Sequence, residues 1–265
     1  MIRAETDDEW ILVTHPDHAR LAAQFADAWG NIQFARPEPY DSIRHAVYHH
    51  DDGWLERDAA PRLTPAGKPE AFTRELVGAY SAFEEIDLPD YLDVRSRATA
   101  IVAETHPAAA VLVSMHTVNL LTEQADLSSI RPEHRPAHTA FVARQTERQR
   151  EIMQSLQLSP DSMRRGFEFL QCCDNLSLIA CSGYDAPRAL RHRHPDKSGA
   201  THELICTPQS PHTWSIAPWP FSEPALSFAL PYRRVRKSAS LNQAAFRTAF
   251  AAALIETATI TLTRG

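Results

Sequence analysis

Ala46-Val47-Tyr48-His49-His50-Asp51-Asp52-Gly53-Trp54 decides how this chain is read. A helix is expected from about Tyr40 to Asp51, stopping near Gly53. Within it His50 stands three, four and seven residues from Val47, Ala46 and Ile43, and four before Trp54, so it shares their apolar face. Asp51 follows where the helix ends, close enough for its carboxylate to converge with the imidazole.

The same arrangement recurs outward along the chain. The first helix opens at Thr14, with Asp17 three residues on and Pro16 in the first turn, and closes at Trp29-Gly30. On it His18 shares a face with Leu21, Ala22, Phe25 and Trp29. His116 lines up with Leu112, Val113 and Leu120, and Asp174 with Phe167, Leu170, Leu178 and Cys181. A lone histidine on an apolar face is ordinarily satisfied by a hydrogen bond, but a recurring set is different. Buried carboxylates cost several kcal/mol unless paired, and one divalent cation would neutralise two of them while using the imidazole lone pairs. His18, His50, Asp51 and Asp174 are therefore the expected metal ligands. Two His and two Asp suit Mn, Fe, Zn, Ni or Co better than Ca.

The His50-Asp51 segment, ending in Gly53, resembles the signature of the HD-domain metal-dependent phosphohydrolases. His18 on an earlier amphipathic helix and the later Cys173-Asp174-Asn175-Leu176-Ser177 resemble that superfamily's first histidine and late aspartate. A closer resemblance is to an uncharacterised bacterial family of unknown function, carried by Asp17-His18-Ala19, His50-Asp51-Asp52-Gly53-Trp54 and Ala217-Pro218-Trp219-Pro220-Phe221.

The superfamily resemblance implies a divalent ion (Mn, Fe, Zn, Ni, Co or Mg) activating water against a small phosphorylated substrate, a phosphate ester or nucleotide. Asp52 or His116 would then act as general acid or base, with His116 alternatively a fifth ligand. On the expected helix 137–156, Gln145 and Arg148 interrupt an apolar stripe. They are candidates to bind substrate, although Arg148 reads more readily as a side chain snorkelling at the stripe's edge. Two other readings stay open: an HD-like di-iron oxygenase and a non-catalytic, metal-stabilised binding protein.

The expected fold is mainly α, an HD-like multi-helix bundle over 1–182. Further helices are expected at about 70–86, 91–104, 108–124 and 162–181. The basic, His-rich stretch 186–200 reads as a loop. Beyond it lie short β-like runs at 203–206, 213–216, 225–230 and 257–263 and a helix at 242–255. They suggest a small α+β subdomain over 183–265, an antiparallel sheet packed on the bundle.

With 265 residues, 43% hydrophobic and 23% charged, the composition is that of an ordinary globular protein. A net charge of -6 argues against nucleic acid as a partner, and the basic run 233–237 reads as a solvated loop or strand edge. The lack of a long apolar segment argues against a membrane span. A cytoplasmic setting is expected, with Cys172, Cys173, Cys181 and Cys206 as buried, reduced thiols.

Overall fold

A computed structural model describes residues 1–71 and 87–265. The helix expected at 70–86 falls, beyond 71, outside the described residues. The chain opens with two strands, β1 (Ile2–Glu5) and β2 (Glu9–Val13), followed by α1 (His15–Ala28) and α2 (Tyr40–His49). A single 3₁₀ turn (Asp52–Trp54) and the short α3 (Leu55–Ala59) lead to α4 (Leu88–Thr105) and α5 (Pro107–Asn119). After a π turn at Leu120–Gln124 come α6 (Arg135–Ser155) and α7 (Pro160–Ser182). The chain then runs through β3 (Arg188–Pro195), β4 (Thr201–Ser210), β5 (Thr213–Ala217), β6 (Ala225–Arg236), α8 (Gln243–Ala252) and β7 (Ile255–Arg264).

Local signals place the helix ends. The Thr14 hydroxyl accepts the Asp17 amide at 3.2 Å and donates to the Asp17 carboxylate at 2.6 Å, which fixes the start of α1. Asn242 caps α8 by accepting the Ala245 amide at 2.9 Å. Gly30 lies just beyond α1 at φ +116°, and its N–H bonds the Pro220 carbonyl at 2.9 Å.

The expectation of a mainly α bundle with a small appended sheet is overturned. The strands form one seven-stranded mixed sheet in the order β1-β2-β6-β7-β5-β4-β3. The N-terminal strands enter it because β2 pairs antiparallel with β6, in the register Trp10↔Val235 and Leu12↔Arg233. The sheet is not purely antiparallel either, since β5 and β7 run parallel. The stretch expected to be a loop at 186–200 carries β3. Only its Leu190 and His194 are buried, so the strand lacks the apolar alternation that would announce it.

One hydrophobic cluster joins the helices to the sheet. Leu21 and Phe25 (α1), Leu112 (α5) and Leu170 (α7) share it with Leu204, Ile216, Phe228 and Leu262 from four strands, so residues before and after 182 contribute to the same core. Trp219 and Phe221 are buried against the end of α1, with Phe221 5.7 Å from Trp29. The basic run 233–237 lies in β6 and just beyond it, matched to acidic neighbours. Arg234 reaches Glu9 at 3.3 Å and Glu256 at 3.4 Å, and Lys237 reaches Glu5 at 2.6 Å.

One close approach governs how the His-Asp segment docks. Gly53 lies against the backbone of α4, and a β-carbon there would collide with the Val94 carbonyl and stand 2.7 Å from the Ala98 amide. Gly53→Ala is therefore expected to cost at least the ~1–3 kcal/mol typical of overpacking, because backbone rather than a flexible side chain must move. Urea unfolding of the variant against the parent checks this, and an unchanged midpoint would contradict the packing.

Candidate metal centre

α1, α2 and α7 converge so that His18, His50 and Asp174 each offer one ligand atom, all within 4.8 Å of one another, and all three residues are buried. Among the described residues this is the only such group of three or more His, Cys, Asp or Glu. The contacts are His50 Nε2 to Asp174 Oδ1 at 3.4 Å and His18 Nε2 to the same oxygen at 3.8 Å. Ligands about 2.1 Å from one ion stand roughly 3.0–3.4 Å apart for right-angled to tetrahedral arrangements, so these separations need only small adjustment.

The hydrogen bonds set the tautomers. His50 Nδ1 donates to the Val47 carbonyl at 2.8 Å, so Nε2 is the nitrogen left to face the centre. That Nε2 is fully buried and has no hydrogen-bond partner. Ser177 donates its hydroxyl proton to the Asp174 carbonyl at 2.8 Å, so its oxygen accepts from His18 Nδ1, also at 2.8 Å. The lone pair of a neutral His18 Nε2 then faces Asp51 Oδ2 at 2.9 Å. Two acceptors in contact require either a proton or a cation between them. Burial opposes protonation of His50, but Asp51 and then Asp174 outweigh it and push it up to about 9. In the ion-free protein a proton thus compensates the carboxylates, in the place a divalent cation would serve. The donor set and the orphaned nitrogen fit such an ion.

Asp51 sits beside this trio. Its Oδ2 contacts His18 and lies 3.8 Å from His50 Nε2, while its Oδ1 accepts from Arg95 Nη1 at 2.6 Å. Burial works against ionisation of Asp51, yet Arg95 first and then His50 hold its carboxyl well below the usual range. Arg95 is itself buried, with its guanidinium 5.1 Å from the Tyr91 ring and 5.7 Å from the Trp54 ring. Sequence reasoning missed Arg95. The signal was present, because Leu88, Tyr91, Arg95, Ala98 and Val102 fall three or four apart on the buried face of α4.

The remaining candidates scatter. The His116 ring lies 5.3 Å from that of His50, is buried, and has an unpartnered Nδ1. Burial pushes His116 down to about 3, so it is uncharged. Asp52 points away from the trio and accepts from His49 Nδ1 at 2.6 Å. Gln145 is buried and accepts from the Ser114 hydroxyl at 2.8 Å, which joins α6 to α5. Arg148 is half-buried, and among the described residues no hydrogen bond or ion pair links it to the centre. The four cysteines are buried free thiols. No helix among the described residues is long and apolar enough to cross a membrane.

The fold and centre define a mixed α/β protein with a buried His/Asp cluster able to hold a metal ion. Residues 1–237 match the family described as Protein of unknown function (DUF3891), and the chain belongs to that family. No curated protein and no solved structure matches it.

Arg95→Met leaves the Asp51 carboxylate buried without its cation, an expected loss of ~3–5 kcal/mol at neutral pH. Because the folded pKa of Asp51 is depressed, the pair's stabilisation holds above the ordinary carboxylate range and is lost as pH falls through the lowered value. Urea unfolding of parent and variant between neutral and acid pH checks both points. The gap between them should shrink on acidification, and a gap that is absent at neutral pH would show that the ion pair contributes nothing.

Proposed function

We propose that this chain is a metal-dependent hydrolase in which His18, His50 and Asp174, with Asp51 beside them, hold one divalent ion, and that its substrate is a phosphate ester or nucleotide. The observation that supports this most is the buried Nε2 of His50, which has no hydrogen-bond partner and stands 3.4 Å from the Asp174 carboxylate. Mixed imidazole and carboxylate donors favour Mn, Fe, Zn, Ni or Co, with Mg the least suited. When bound, such an ion supplies Lewis acidity and brings the pKa of coordinated water toward neutrality.

The chain's own residues set up the rest. Val47 and Ser177 fix the two histidines in the tautomers that aim Nε2 into the centre. Arg95 neutralises one oxygen of Asp51, so two carboxylates, one guanidinium and a divalent ion leave a single net positive charge, the sign that attracts a phosphate. His116, uncharged with Nδ1 free, is near enough to become a further ligand, while its low basicity makes it a poor base. Asp52, tied to His49, is the remaining candidate for the base.

A second reading, a metal that only stabilises the fold, is favoured by the burial of the cluster. The Asp174 side chain is the most open of the three at 11% exposure.

Metal analysis and turnover assays separate the readings. The purified parent is expected to hold about one ion per chain at the buried centre and to hydrolyse members of a phosphate-ester and nucleotide panel, and His50→Ala and Asp174→Ala should each lose that ion and the turnover. Undiminished metal in both variants would remove the centre. Metal without turnover on the panel, together with a melting temperature that drops on chelation, would assign the structural role. An ion at a hundred times its Kd stabilises a fold by about 2.7 kcal/mol, which is readily measured.

A further inference from the structure

A second group of imidazoles lies on the other side of α2, outside the buried centre. His45 and His49 are four residues apart on one face of that helix, with ring centroids 4.3 Å apart. His106, at the junction of α4 and α5, approaches His45 from another element at 4.9 Å. All three rings are half-buried. Among the described residues no side-chain hydrogen bond engages the rings of His45 or His106. His49 is different, since its Nδ1 donates to Asp52 at 2.6 Å. A carboxylate on one ring nitrogen fixes the tautomer and presents the opposite Nε2 outward. Metal-ligating histidines are ordinarily held in this way.

We propose that His45, His49 and His106 form a surface site for a borderline divalent ion such as Zn²⁺, Ni²⁺, Cu²⁺ or Co²⁺, with Asp52 orienting His49. Two histidines at i and i+4 on a helix can grip one ion, and an all-imidazole donor set selects these metals over Mg²⁺ or Ca²⁺. His45 stands between the other two rings, so His45 and His49 make the primary clip. His106 joins as third ligand by rotation of a half-exposed side chain, and water completes the shell. The nearest cation on α2, Arg44, is engaged by Asp27 at 2.7 Å and 2.9 Å and does not compete for this face. The site stands apart from the buried centre and does not depend on that centre holding metal.

The test is calorimetric titration of Ni²⁺ into the full chain after chelator treatment, read as a difference between variants. His45→Ala and His45→Ala/His106→Ala, both at half-exposed positions, should bind one ion fewer than the parent. Asp52→Asn should keep the ion with an affinity about 10–100-fold weaker. His202→Ala, on β4, should match the parent. His50→Ala should keep the surface ion whatever becomes of the buried one, which separates failure of this site from failure of the hydrolase reading. Equal stoichiometry and affinity in the parent and the His45→Ala/His106→Ala double variant would overturn the proposal. So would a parent whose only uptake disappears with His50→Ala while circular dichroism shows that variant folded.

Discussion

Asp51 is the residue on which the middle of this molecule turns. It is 2% exposed, and an ionised carboxylate at that depth is tolerable only with partners on both oxygens. His18 meets one oxygen and Arg95 the other. Those partners come from α1 and α4, while Asp51 itself lies at the end of α2. One side chain thus ties together three helices, α1, α2 and α4. The geometry also fixes what Asp51 leaves over: His50 Nε2, aimed at Asp174 and without a hydrogen-bond partner.

A second buried carboxylate sits one layer away. Asp58 accepts the His15 amide at 2.6 Å and contacts His15 Nδ1 at 3.0 Å. Trp54 lies against both layers. Its ring stacks on His15 at 4.1 Å, and the Arg95 guanidinium lies 5.7 Å away. The indole packs against both groups, while the His15 and His18 rings also meet edge to face at 6.3 Å, so the two layers adjoin. Its full burial comes from the apolar cluster it shares with Leu88, Tyr91, Val94 and Leu121.

The helical half of the fold was legible because helix signals are local. The cap at Thr14 and three-four spacing on α1, α2 and α7 are read within a few turns, and the inward aim of His18, His50 and Asp174 follows from them. Four strands of the sheet, at 201–210, 213–217, 225–236 and 255–264, were legible as β-like runs, but its extent was not, because the pairing of β2 with β6 joins opposite ends of the chain and no local pattern encodes a partner at that distance. Ile2–Glu5 and Arg188–Pro195 are short or charged strands whose burial depends on what lies against them. Arg95 escaped notice for a different reason. A basic residue among apolar ones reads as a solvated edge unless its carboxylate partner is known, and that partner lies on another helix. At Gln145 and Arg148 the same spacing logic found the faces but not the partners. Gln145 is spent on Ser114 in a helix–helix joint, and Arg148 stays at the margin.

The run His49-His50-Asp51-Asp52 shows how four adjacent residues come to serve two faces. Successive helical residues are turned by about 100°, so as α2 ends His50 and Asp51 swing inward while His49 and Asp52 swing outward. Each pair is then completed by residues from elsewhere. The inner pair meets His18, Asp174 and Arg95, and the outer pair meets His45 one turn back. The two groups cannot merge, because the helix backbone lies between them. Gly53 makes the division possible, since only a residue without a side chain lets the turn after Asp52 press against α4 closely enough for Arg95 to reach Asp51. The glycine that ends the motif is therefore a condition of the inner site, although it touches none of the groups in it.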